Sequence, residues 1–266
     1  MTFEALTYDV QDGIAVVTLN RPKTRNALDI AMRTELAQVV DMMRDDAGLS
    51  ACVITGAGGA FCAGGDLKAL SEARRPVTTN RKRIQDLHTW FPKLVDLELP
   101  VIAAVDGPAF GAGLNLALAA DFIVATPRAR FCAVFGRIGL VPDLGGFFLL
   151  PRIVGLQAAK DLVFTARSID AEEAKRLGIV KEIVPDGELM QHALYFAGHF
   201  KNASRTAIGM AKSILNRSSE SDQMTLSELE SYAQAVCMES DYHRDAVGRF
   251  LNKEQLAFDW DRDNDG

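Results

Sequence analysis

The chain has 266 residues, 48% of them hydrophobic and 24% charged, which is enough apolar material for a full core in one large domain or a domain with an appendage. Its formal net charge of −6 argues against a protein whose main task is coating nucleic acid, and no apolar run reaches membrane-spanning length: the best, "LNLALAADFIVA", is broken by Asn115 and Asp121. The cysteines (Cys52, Cys62, Cys132, Cys237) lie far apart without C-x-x-C or paired histidines, so they read as reduced thiols in a cytoplasmic protein and not as a disulfide frame or a zinc site.

The opening "MTFEALTYDVQDG" carries early acids and no apolar h-region, so no secretory signal is expected. "GIAVVTLN" is a β-branched run closed by Asn-Arg-Pro and predicts a strand. "ALDIAMRTELAQVVDMMRDD" places Ile30, Leu36, Val39, Val40 and Met43 near helical spacing and predicts an amphipathic helix. "ACVITGAGG" predicts a buried strand entering a glycine loop, and "RIQDLHTWFPKLVDLELP" a helix that bends or restarts at Pro92. "PVIAAVDG" reads as a strand. "GAGLNLALAADFIVA" is apolar all round and reads as a buried helix. "AEEAKRLGIVKEIVP" reads as a helix stopped at Gly178 and followed by a strand. This alternation predicts an α/β domain with buried, near-parallel strands over residues 1–187. Residues 188–266 read as helix only, an oligomerisation region ending in a frayed "DWDRDNDG".

Two glycine-rich segments each follow a strand, "TGAGGAFCAGGDLKAL" and "DGPAFGAGLNLALAADF". Neither is a G-x-G-x-x-G that opens a helix with an acid about 20 residues on, so a dinucleotide site is a weak reading. Two loops offering backbone N–H groups instead suit the holding of one developing negative oxygen. Alternatively, the glycines only let backbones pass closely. "GLVPDLGG" sets Asp143 among apolar residues; Pro-Asp-x-Gly is turn chemistry, and a buried acid there is also a candidate proton carrier.

"VTLNRPKTRNAL", "AFCAGGDLKAL", "PVIAAVDGPAFGAGLNLALAADFIVA" and "IGLVPDLGGFFLLPRIVG" together resemble the crotonase (enoyl-CoA hydratase/isomerase) superfamily over about residues 10 to 255. The resemblance implies a crotonase-like ββα-spiral core, a C-terminal helical trimerisation region, and acyl-CoA thioester substrates. Coenzyme A enters as part of the substrate, with no metal or separate cofactor; the assembly implied is a homotrimer or a dimer of trimers. It implies that the N–H groups of Gly65 and Ala112 hold the thioester oxygen, Ala112 at a helix N-terminus whose dipole favours an anion. Ala112 stands where many members have glycine, and so requires a negative φ. The carbonyl of Ala63 is implied in holding adenine, the segment Gly65, Asp66, Leu67, Lys68 in lining the CoA channel, and Lys23 and Arg25 in approaching pantetheine and phosphates. Phe250 and Lys253 fall where members reach toward CoA, often from a neighbouring subunit.

Hydratases of the superfamily carry glutamates at the positions of Asn115 and Phe135, and neither residue here can move a proton. That leaves Asp143, at a position that supplies an acid in dienoyl-CoA and ring-epoxide isomerases. An isomerase using one aspartate is therefore expected, with Asn115 and Phe135 contacting substrate. Two alternatives remain. One is a hydrolytic aryl-CoA dehalogenase, with Asp143 as nucleophile and His88 as base, although Gly65 replaces the large aromatic of those enzymes. His88 is otherwise a solvated or packed helix residue. The other is a non-catalytic CoA- or RNA-binding member using the basic stretch around Arg74, Arg75, Arg81, Lys82 and Arg83, a reading the acidic charge weakens.

Overall fold

Aliphatic runs build a six-stranded sheet in the order β1 (Leu6–Gln11), β2 (Ile14–Leu19), β3 (Ala51–Gly56), β4 (Val101–Val105), β6 (Phe122–Ala125) and β9 (Glu182–Ile183). The structure, a computed structural model, describes residues 2–66 and 75–263. β1 pairs antiparallel with β2 at one edge, and every other pairing in this sheet is parallel. A second sheet of three short strands, β5 (Pro108–Phe110), β7 (Arg130–Cys132) and β8 (Ser168–Asp170), stands beside it.

β4 is apolar throughout and β3 over Ala51–Ile54, because both faces of the sheet are covered, and the buried Thr55 hydroxyl donates to Ala104 O at 2.9 Å. Alternate residues serve two cores. Cys52, Ile54, Val101 and Ala103 face α1 (Ile30–Asp45) and α4 (Ala112–Leu118), while Ala51, Val53, Ile102 and Ala104 face α7 (Leu189–Gly198). α1 presents the expected apolar stripe, burying Leu36, Val39, Val40 and Met43, and its Asp29 cap accepts from Met32 N at 2.8 Å. Ile30 stands outside that stripe, 70% exposed. α2 (Val77–Leu87) ends before Pro92, and the chain restarts as α3 (Phe91–Val95) with proline in its first turn.

The stretch read as one buried helix is two elements. All seven residues of α4 are buried, as expected, but Phe122–Ala125 leave the helix and pair with β4 as β6. A short apolar run carries no period that separates strand from helix, and here the open edge of β4 decides it. Asp121 marks the junction: its Oδ2 accepts from Val101 N at 2.7 Å and pairs with Lys212 at 2.7 Å. β1 and the small sheet's strands were not anticipated, being short or polar on one face.

α5 (Gly146–Thr165) and α6 (Ala171–Arg176) complete the core, with Gly178 at φ +80° where the stop was expected. The chain beyond residue 188 is helical, as read: α7, α8 (Arg205–Arg217), α9 (Gln223–Met238), α10 (Asp241–Leu251) and α11 (Trp260–Asp263). Of the stretch expected to fray, Trp260 packs edge-on against Phe196 at 5.4 Å, and residues 264–266 lie outside the described residues. α9 and α10 bury no residue, and with α8 they line a groove of about 760 Å³. Among the described residues no helix is long and apolar enough to cross a membrane. Cys52, Cys62 and Cys132 are buried free thiols; burial pushes Cys52 and Cys62 up to about 12.

Candidate active site

The two glycine loops touch. Cys62 N donates to Pro108 O at 3.0 Å, and Phe110 N donates back to Cys62 O at 2.9 Å. Gly113 lies against the same strand of backbone, where any Cβ would collide with Cys62 O. Gly64, at φ +96°, is closer still to the second loop: a Cβ there would stand 2.6 Å from Phe110 O and 3.5 Å from Ala112 N. Glycine at both positions is thus a requirement of contact between loops. Gly111 takes the positive φ of +54° at the turn, which leaves Ala112 in ordinary helical geometry as the first residue of α4. Neither Gly65 N–H nor Ala112 N–H donates to an acceptor among the described residues.

The "RPKTRNAL" turn sits beside this pair. Arg25 O accepts from Ala63 N at 2.9 Å, so the exposed Lys23 and Arg25 stand next to the loop that carries Ala63 and Gly65. Asp66 lies 3.8 Å from the Arg21 guanidinium, which also pairs with Asp29 at 3.0 Å. Leu67 and Lys68 lie outside the described residues, as does Arg74.

Asp143 belongs to a tight turn and to a cleft at once. Leu144 (φ +43°) and Gly145 (φ +73°) are both left-handed, and the chain then enters α5. The Asp143 carbonyl accepts from Gly146 N at 2.9 Å and from Asn115 Nδ2 at 2.7 Å. The turn reading is therefore correct for the backbone. The side chain does something else: its Oδ1 is buried with no hydrogen-bond partner. Burial pushes the Asp143 carboxyl above the usual carboxylate range, against the opposing pull of its own backbone N–H, Arg33 and His88. The cleft around it, of about 400 Å³, is lined by Ile84, His88, Leu140, Pro142 and Phe147 among others.

Several expectations change with the geometry. His88 is exposed at the C-cap of α2, as the solvated reading expected, and it also lines the cleft with Asp143. Asn115 is only 2% exposed and its amide is committed to the Asp143 carbonyl, so it braces the turn instead of lying open to substrate. Phe135 is buried behind the second glycine loop, its ring 3.7 Å from where a Gly111 Cβ would lie. Phe250, in the last turn of α10, and Lys253, just beyond it, are exposed and stand outside the lining of this cleft, which is compatible with the expected reach toward CoA from a neighbouring subunit.

Two residues were missed. Asn26 is fully buried and left-handed, with Nδ2 donating to Ala57 O at 2.9 Å and Ala60 O at 2.7 Å. Its Oδ1 accepts from Arg21 N at 2.8 Å, so one amide ties the basic turn to the first glycine loop. A polar residue followed by "ALD" at a helix entrance was the available signal. Arg33 was read only as a helix position; it anchors its Nε on Asp29 O at 3.0 Å and contributes positive charge near Asp143.

The comparisons agree with this geometry. The family model described as "Enoyl-CoA hydratase/isomerase" matches residues 9–262. The chain is 38% identical over 259 residues to a probable enoyl-CoA hydratase of Rhodobacter capsulatus, covering 97% of this chain and 99% of that protein. It is 32% identical over 257 residues to the 1,2-epoxyphenylacetyl-CoA isomerase of Escherichia coli K12, covering 96% and 98%. A crystal structure of an enoyl-CoA hydratase/isomerase from Cupriavidus metallidurans CH34 superposes with a TM-score of 0.91 at 39% identity, covering 97% of each chain. The fold is the crotonase-like α/β spiral with a C-terminal helical region, and the chain belongs to the enoyl-CoA hydratase/isomerase family.

Proposed function

We propose that this enzyme isomerises an acyl-CoA thioester, with Asp143 moving one proton between two carbons of an enolate. The observation that carries the reading is the Asp143 carboxyl itself: its Oδ1 is buried without a hydrogen-bond partner, and burial raises its pKa above the ordinary value. The thioester oxygen sits between the N–H groups of Gly65 and Ala112. Asp143 takes a proton from C2 of a 3-enoyl thioester, and the negative charge spreads to the thioester oxygen. The resulting carboxylic acid returns the proton to C4, leaving a 2-enoyl thioester and the carboxylate restored. Hydration needs a second acid or base, and Asn115 and Phe135 cannot provide it. Coenzyme A is carried in by the substrate, its phosphates beside Lys23 and Arg25 and its adenine beside the Ala63 carbonyl.

The test is 3-hexenoyl-CoA isomerisation compared with crotonyl-CoA hydration. The first is expected to be fast and the second slow; the reverse order overturns the isomerase reading. Ala112→Pro gives a sharper measurement, because proline fits the first position of a helix but lacks the N–H. It is expected to lower kcat by roughly 10²–10³ with weaker effects on binding, the loss typical of one oxyanion donor. A kcat within threefold of the parent places the donor elsewhere.

His88 in the cleft wall favours one second reading, hydrolysis of an aryl-CoA halide with Asp143 as nucleophile and His88 as base. Release of halide dependent on both residues supports it. For assembly, we propose a trimer or a dimer of trimers through residues 188–266, supported by the exposure of Met224, Tyr232, Val247, Phe250 and Leu251 on α9 and α10. Light scattering is expected to give a multiple of three chains; a monomer refutes it.

A further inference from the structure

Phe148 is a wall shared by two spaces. On one side lies the Asp143 cleft, and on the other a cavity of about 690 Å³ between the end of α4, α5 and α8. The near wall of that cavity is apolar, formed by Leu118, Ala119, Leu149 and Ile153. Its Asp121 and Lys212 are paired with each other at 2.7 Å, so these two charges are compensated within the protein. The Phe148 ring is capped by the Arg152 guanidinium, 3.5 Å from the ring centroid. Arg152 is held in turn by Ser219 Oγ at 3.0 Å and by Glu220, both beyond the end of α8.

The distances suit a chain that starts at the oxyanion loops. α4 rises about 1.5 Å per residue, so Leu118 lies about 9 Å along the helix from Ala112. With C–C bonds of about 1.5 Å, a four-carbon acyl chain is shorter than that span and a twelve-carbon chain is longer than it. We infer that the substrate of this enzyme carries an extended apolar acyl chain that passes Phe148 and ends in the cavity beneath α8. Phe148, held by Arg152, then sets which chains are admitted. The inference rests on the acyl-CoA reading above and names the substrate class for that same site.

The test is calorimetric titration with two saturated thioesters, butyryl-CoA and dodecanoyl-CoA, the latter below its micelle concentration. Dodecanoyl-CoA is expected to bind at least about tenfold more tightly, since each further buried methylene adds to affinity. Ile153→Trp fills the cavity from a half-buried position and is expected to bring the affinity ratio close to one. Phe148→Ala widens the passage and is expected to raise the ratio. If the melting curve shows that Ile153→Trp does not fold, Ala119→Leu fills the near end and the same ratio is read. Equal wild-type affinities overturn the inference, as does a preference that the cavity-filling variant leaves intact. Binding of neither thioester overturns the acyl-CoA reading itself, so the two failures are distinguishable.

Discussion

Asp143→Asn is expected to lower turnover in the proposed isomerisation by about two to four orders of magnitude, the usual cost of losing a general base. Asparagine keeps the shape, the turn and the Asn115 bond to the backbone carbonyl, so binding of a saturated acyl-CoA survives. The wild-type pH profile carries the same information from the other side. The base must be ionised, and burial raises the pKa of this carboxyl. Activity is therefore expected to rise with pH along an acid limb above the ordinary aspartate value of about 3.9. An acid limb at the ordinary carboxylate value, or an Asp143→Asn variant with parental turnover, removes Asp143 from the mechanism.

The same substitution carries a stability effect of opposite sign. A carboxyl whose folded pKa is raised binds its proton more tightly in the folded state. Ionisation then costs stability as pH rises from the unfolded value through the folded one. Asp143→Asn lacks that cost. The melting temperature of the variant relative to wild type is expected to climb across this window and level off above it. Gain of stability with loss of turnover is the signature of a group kept for chemistry and strained by its place. Under the proposed mechanism Asp143 answers to two demands, a turn that holds Leu144 and Gly145 in left-handed conformations, and a proton site that needs one oxygen out of water.

How much of this was legible in the sequence depended on whether the signal was local. The α1 stripe, the restart near Pro92 and the stop at Gly178 follow from side-chain period and backbone restriction, and all three were readable. The strand β6 was not, because Phe122–Ala125 become a strand only when the edge of β4 is there to pair with. At the site, Gly64 and Gly113 were visible as glycines, but their reason is contact with the opposite loop. The use of Asn115 was misjudged for the same cause. Its partner is a carbonyl 28 positions away, and only the packing of α4 on the start of α5 brings them together. The placing of His88 beside Asp143 came only from the resemblance to the dehalogenases, and the structure sets the two in the lining of one cleft.

Asn26 gives the other large expected effect. Its amide donates to Ala57 O and Ala60 O and approaches Phe61 O at 3.3 Å, while its oxygen accepts from Arg21 N. Asn26 also takes φ +57°, a conformation that asparagine and glycine tolerate far better than other residues. Asn26→Gly therefore removes the amide without adding backbone strain, leaves buried carbonyls unpaired, and is expected to cost about 1–3 kcal/mol. Asn26→Asp keeps the shape but sets a carboxylate oxygen against the carbonyls that Nδ2 served, and is expected to lose more. Because Arg25 O holds Ala63 N next door, the loop carrying Gly65 loosens as well, and acyl-CoA affinity falls with stability. Acid should partly rescue this second variant and not the first, since a protonated carboxyl can donate one hydrogen bond in place of the lost amide. Melting curves at neutral and at mildly acidic pH read the difference. Equal melting temperatures for Asn26→Asp and wild type at neutral pH would show that the amide does not hold the loop, and that the Gly65 N–H is placed by the loop-to-loop contacts alone.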